Sequence, residues 1–288
     1  MLTPRIAFFG TPEIAVSVLN ELKKHSMLPT VIITNPDAPQ GRKMILTPPP
    51  TKLWAEEKNI PVLQPVSLRT DTSVADYLTA HAIDLCIVVA YGKIIPRNIL
   101  DIPKYGTLNV HPSLLPKLRG ASPIRSAILE DMRETGVTVM LLDEELDHGP
   151  ILVQEIVSIE KESWPLRGQA LDTLLAEKGG ELLAGIIPHW VAGDITPIPQ
   201  NHSQATFCTK ITKEMGEINL TADAYKNLLK IRAFDGWPGT FFFTERNDKR
   251  IRVKIVDAEL NPDNTLNITR VVPEGKIEMS YEDFKRNI

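Results

Sequence analysis

Residues 5–34, RIAFFGTPEIAVSVLNELKKHSMLPTVIIT, decide the fold class. Arg5–Gly10 is an apolar run that reads as a strand, Pro12–His25 carries a helical pattern, and Thr30–Thr34 is β-branched and apolar again. Thr11 is placed to cap the helix and Pro12 to occupy its first position. The alternation continues outward from this unit. Thr51–Lys58 and Thr72–His81 read as helices, and Pro61–Pro65, Ile83–Val89 and Thr107–Val110 as strands. A helix over Pro123–Asp131 and strands over Gly136–Leu142 and Ile151–Ile159 follow. A long helix then places Leu171, Leu174, Leu175, Leu182, Leu183, Ile186 and Ile187 at helical spacing. Such alternation predicts a mostly parallel sheet covered on both faces, with ligands bound beyond the carboxyl ends of its strands.

From residue 193 the pattern changes. GDITPIPQNHS (193–203) is polar, has two prolines and no periodicity, and reads as a linker. Beyond it come a short strand near Ile218–Leu220, a helix over Ala222–Ala233, and closely spaced strands over Phe241–Thr244, Arg252–Val256, Asn267–Val272 and a short final run. The expected division is therefore 1–192, a linker at 193–203, and a small barrel-like β domain at 204–288.

Composition excludes more than it suggests. No apolar run approaches the roughly 20 residues that cross a bilayer, and no signal-peptide pattern opens the chain, so a cytoplasmic protein without membrane partners is expected. The two cysteines, Cys86 and Cys208, lie far apart, and Cys86 falls in an apolar run as a core residue. From Ala205 onward there are 14 Lys/Arg against 13 Asp/Glu, a net +1, leaving 18 against 23, or −5, for the rest. A protein that grips nucleic acid mainly through phosphates is usually more basic, so composition alone names no such partner.

Four stretches are candidates for chemistry. FFGTPEIA sits between a strand and a helix, but Gly10 alone does not make the three-glycine dinucleotide fingerprint. Asn109 and His111 end a strand, where period-two alternation points both side chains the same way. An amide and an imidazole there can stabilise an oxyanion, or simply hold a turn. Asp143, Glu144, Glu145 and Asp147 form an acidic cluster that is either a solvated loop or the source of a carboxylate for His111, with Asp147 best placed. No compact spacing of His, Cys, Asp and Glu supports a metal. Thr34–Lys52 is long for a connection and carries Arg42 and Lys43 at its tip, an ordinary surface loop or a contact for phosphates or base edges. Its prolines predict a stiff, extended segment without hydrogen-bonded structure.

Together, NVHPSLLPKLRGASPI (109–124) and LDHG (146–149) resemble the folate-dependent formyltransferases, in which an Asn, a His and an Asp surround the formyl carbonyl. The resemblance implies a Rossmann-like, mostly parallel sheet domain followed by a small β-barrel (OB-like) domain. It implies that Asn109, His111 and Asp147 are catalytic. It also implies that Ser113, Leu114, Leu115 and Pro116 contact the folate, and that Ala90, Tyr91, Gly92 and Ile94, with Asp143 and Glu144, enclose its pteridine. FFGTPEIAVSVL, NPDAPQGRKMILTPPPTK, and ATFCTKITKEMGEINL with IRAFDGWPGTFF resemble the tRNA-acting branch, with Arg42 and Lys43 in the loop that enters the acceptor stem. The implied reaction moves the formyl group of 10-formyltetrahydrofolate, a co-substrate, to the α-amino group of initiator methionyl-tRNA during translation initiation, without a metal, in a monomer. The alternative is an amino-sugar nucleotide N-formyltransferase with the same triad, against which the Thr34–Lys52 loop argues. The chain departs from the family pattern at Glu145, usually glycine, and at His148, usually threonine.

Overall fold

The apolar runs of the first half pair into one sheet. The computed structural model describes residues 4–41, 43–246 and 249–286. The strands are β1 (Ile6–Gly10), β2 (Val31–Ile33), β3 (Ala38–Gln40), β4 (Ile45–Thr47), β5 (Val62–Leu63), β6 (Leu85–Val89), β7 (Thr107–His111), β8 (Arg119–Gly120), β9 (Glu134–Leu141) and β10 (Ile151–Ser158). Seven form the main sheet, in the order β10–β9–β7–β6–β1–β2–β5. β1, β2, β5, β6 and β7 run parallel, and β9 is antiparallel to β7. Every residue of β1, β6 and β7 is buried, as expected of central strands covered on both faces.

The first helix, Glu13–Lys24, buries Ala15, Val18, Leu19 and Leu22, an i, i+3, i+4, i+7 stripe. Each of the larger side chains contributes about 1.5–3 kcal/mol relative to exposure. Thr11 is not its cap. Pro12 holds that position without a side-chain bond, while the Thr11 hydroxyl accepts from Asn35 Nδ2 at 3.1 Å and reaches the Tyr91 carbonyl at 3.4 Å. Gly10 is explained by packing, since a Cβ there would come within 2.6 Å of the Phe8 ring and 2.8 Å of Ala15 Cβ. Cys86 lies in the core, where burial pushes its thiol up to about 12 and leaves it an inert apolar side chain. Among the described residues, no helix is long and apolar enough to cross a membrane.

Thr34–Lys52 differs from its sequence reading. β3 and β4 pair antiparallel, Ala38 with Thr47 through Gln40 with Ile45, so the segment is a β-hairpin rather than a strap without hydrogen bonds. A two-stranded ribbon has only edge strands, which tolerate Pro39 and its missing N–H.

The chain forms two compact units that are not the contiguous spans expected. The first comprises Met1–Gly120, Thr135–Val157 and Thr173–Phe207; the second comprises Ala121–Glu134, Ser158–Asp172 and Cys208–Ile288. Residues 193–203 are not a free linker but part of the first unit. Ile198 forms a two-bond bridge to Ile151 at 2.8 Å, and Gln200 is buried. In the second unit, helix Pro123–Leu129 packs on helix Ala224–Ala233. There Trp164 Nε1 and the Tyr225 hydroxyl both donate to Asp131 Oδ1, at 2.6 and 2.7 Å, and Arg125 forks onto Asp172 at 2.6 and 2.7 Å. The Tyr225 bond, with Arg167 Nη2 donating to Asp257 Oδ1 at 2.7 Å, draws the two earlier segments into the C-terminal body. Its strands Thr240–Arg246, Lys249–Leu260, Leu266–Pro273 and Met279–Ser280 form an antiparallel sheet in chain order, over a core that includes Ile231, Phe242, Val253, Val271 and Phe284. Near Ile218–Leu220 there is no strand, only a parallel bridge from Glu217 to Phe241, and the chain adds a final helix, Tyr281–Arg286, that the sequence reading lacks.

Candidate active site

β7 is the strand that presents chemistry at its carboxyl end. Asn109 and His111, two residues apart, share one face, with Asn109 paired to Val88 on β6 and to Met140 on β9. Asp147 arrives from the loop between β9 and β10. Its Oδ1 lies 3.5 Å from Asn109 Nδ2 and 3.6 Å from His111 Nδ1. The three are 8%, 4% and 8% exposed, so they meet in a nearly dry setting where polar interactions strengthen.

Other bonds fix these groups before any substrate arrives. His111 Nε2 lies 3.0 Å from the Leu118 carbonyl. A carbonyl only accepts, so Nε2 carries a proton and Nδ1 is the atom turned toward Asp147. The tautomer is thus set by Leu118. Asp147 Oδ2 accepts from the Gly120 amide at 2.8 Å. Gly120 has φ +120°, a backbone that side chains resist, so this donor depends on glycine. Asp147 itself is left-handed, with φ +49°. The strain in the acidic loop sits there, and Glu145 does not share it: among the described residues, Asp147 is the loop's positive-φ position.

The segments expected around the folate divide by exposure. Ala90, Gly92 and Ile94 face outward, whereas Tyr91 is buried, its hydroxyl without a hydrogen-bond partner and pushed up to about 12 by burial. The Tyr91 carbonyl, which accepts from Asn35 Nδ2 at 3.1 Å, ties this loop down. Ser113 and Leu115 are buried, while Leu114 and Pro116 are half-exposed. The Ser113 hydroxyl donates to the Lys117 carbonyl at 2.6 Å, so it closes the turn on itself. Thr138, missed by the sequence reading, braces the same turn, donating to the Ser113 carbonyl at 2.6 Å and accepting from the Leu115 amide at 3.2 Å. Asp143 is engaged by His148, with Nδ1 to Oδ2 at 2.7 Å, and exposed Glu144 lies 3.6 Å from Arg97. Lys43 is exposed on the hairpin; Arg42 lies outside the described residues.

The arrangement offers an amide donor, an imidazole anchored through one nitrogen, and a carboxylate beside the other, a set suited to acyl transfer through a charged oxygen. The sequence matches the Formyl transferase family over residues 4–166 and the Formyl transferase C-terminal domain over residues 210–267. A methionyl-tRNA formyltransferase of Chloroflexus aurantiacus is 42% identical over 247 residues, covering 86% of this chain and 78% of that protein. The methionyl-tRNA formyltransferase of Halalkalibacterium halodurans is 36% identical over 304 aligned positions, covering 98% of this chain and 94% of its own. Among solved structures, the methionyl-tRNA formyltransferase from Clostridium thermocellum shares the fold, with a TM-score of 0.59 at 17% identity over 96% of this chain and 100% of that one. The chain belongs to the formyl transferase family and, within it, to the methionyl-tRNA formyltransferases.

Proposed function

We propose that Asn109, His111 and Asp147 carry the transfer of a formyl group from 10-formyltetrahydrofolate to the α-amino group of initiator methionyl-tRNA. The observation that supports this reading is the Asp147 carboxylate standing 3.5 and 3.6 Å from Asn109 and His111 in a buried site at the end of β7. The folate supplies the formyl carbon in activated form. Asn109 Nδ2 has one hydrogen toward Asp147 and a second to donate to the formyl oxygen as negative charge develops there. His111 Nδ1 and Asp147 Oδ1 face each other without a full hydrogen bond, so the pair has room for one proton, the one released by the attacking amine and passed to the folate N10 as the bond from the formyl carbon to N10 breaks. No serine or cysteine nucleophile enters this scheme.

The exposed backbone and apolar edge at Ala90, Gly92 and Ile94 fit the face of a flat heteroaromatic ring, and we assign the pteridine there. Ser113 and Leu115 shape that site as its frame, and Leu114 and Pro116 border it. Arg42 and Lys43 are assigned to the tRNA. The test is a formyl donor labelled on the formyl carbon, with label followed into charged initiator tRNA, an amino sugar and water. Label in the tRNA is expected; label in the sugar or only in water would overturn the assignment.

A further inference from the structure

Leu118, Arg119 and Gly120 form one short segment with three connections to the catalytic group. Leu118 fixes His111 and Gly120 donates to Asp147, as described above. Arg119 reaches the same aspartate by a longer route. Arg119 and Gln200 are 4% and 6% exposed, and Arg119 Nε and Nη2 donate to Gln200 Oε1 at 3.2 and 2.6 Å. Nη2 also donates to His202 Nδ1 at 2.9 Å. A guanidinium cannot accept, so it dictates which end of the Gln200 amide faces it. The other end, Nε2, then donates to the carbonyls of Asp147, at 2.9 Å, and Gly149, at 2.7 Å.

The amide thus pins the main chain at the strained residue and again two residues later. A Cβ at Gly149 would overlap the Leu141 carbonyl, so the second anchor is also tightly seated. We propose that Gln200, oriented by Arg119, is a positioning residue: it holds Asp147 in its left-handed conformation so that one carboxylate spans Asn109, His111 and Gly120. This rests on the reading of Asp147 as catalytic. Neither residue touches the reacting atoms, and both act through Asp147.

The test is a double-mutant cycle on the full chain. Gln200→Glu keeps an acceptor for Arg119 but replaces both donors with oxygen facing two carbonyls. Its kcat should fall about 10- to 100-fold, the scale of a displacement near 1 Å, with KM for both substrates changed by less than about threefold. In an Asp147→Asn background the same change should have no further effect, because its route of action is already lost. An equal loss in both backgrounds overturns the proposal, as does a raised KM at unchanged kcat. If Gln200→Glu does not fold, Arg119→Lys, which keeps the charge and loses the fork, carries the same cycle and the same two outcomes. Full turnover in Asp147→Asn alone would remove the catalytic reading itself, an outcome distinct from additivity in the cycle.

Discussion

The end of β7 and the β3–β4 hairpin belong to the same unit and are its opposites in burial. β7 is closed in by β6 and β9, and the polar groups at its end are held by Leu118 and Asp147, with Asp147 held in turn by the Gly120 amide. The hairpin bonds to itself, and its β4 side exposes Met44, Ile45 and Leu46 at 67%, 61% and 64%. Its base is braced, where Gln64 and Lys52 both bind Asp37, at 2.8 and 2.9 Å, and together hold its carboxyl below the usual carboxylate range. Under the proposed function, the contrast separates two tasks. Dipoles that meet developing charge work best when they need not move, so they are buried and over-determined. A surface that recognises a large partner keeps apolar and cationic groups exposed until that partner covers them.

The largest effect should come from the buried side. Asp147→Asn preserves a side chain that tolerates the left-handed backbone and removes only the charge. It should lower turnover by about 100- to 1,000-fold with little change in Tm, and His111→Ala should match it. Single-turnover formylation with saturating donor measures this, and near-wild-type rates would dissolve the contrast. Gly120→Ala comes next. The cost of its backbone, about 1–3 kcal/mol, and the displaced donor to Asp147 should give a folded protein with kcat reduced about tenfold or more. An unchanged kcat would show that the Gly120 amide is dispensable.

On the exposed side, Ile45→Ser with Leu46→Ser should leave stability within about 0.5 kcal/mol, because both side chains are already in water. The pair should lower kcat/KM for tRNA several-fold and leave KM for the folate unchanged. An effect on folate instead would tie the hairpin to the wrong substrate. The smallest change should be in the salt response. Arg42→Ala or Lys43→Ala should each reduce the slope of log affinity for tRNA against log salt by about one contact. If either residue reads a base edge, the mutant should also lose discrimination between initiator and elongator methionyl-tRNA, by about 1–3 kcal/mol. Identical kinetics on both tRNAs in both mutants would leave the hairpin without an electrostatic role.

What the sequence determined by itself is what repeats locally. Strand and helix periods marked β1, β6, β7 and the helices Glu13–Lys24 and Gly168–Ala192, and period two put Asn109 and His111 on one face. The motif NVHPSLLPKLRG named the family before any contact was known. The tertiary structure decided what depends on residues distant in the chain. Asp147 meets His111 across 36 positions and only with a left-handed backbone, and Gln200, in a stretch that looks like a linker, is pinned to Arg119 across 81. Pro36, Pro39 and the 48–50 run suggested a strap, yet pairing of Ala38–Gln40 with Ile45–Thr47 makes a hairpin. Ala121–Glu134 and Ser158–Asp172 read as parts of the first domain and pack with the last, because Asp131 and Arg167 find partners there, Tyr225 and Asp257, that no neighbouring residue announces. Periodicity records which face a residue turns inward. It holds no record of which distant group will meet it there, since that depends on how the loops between them close.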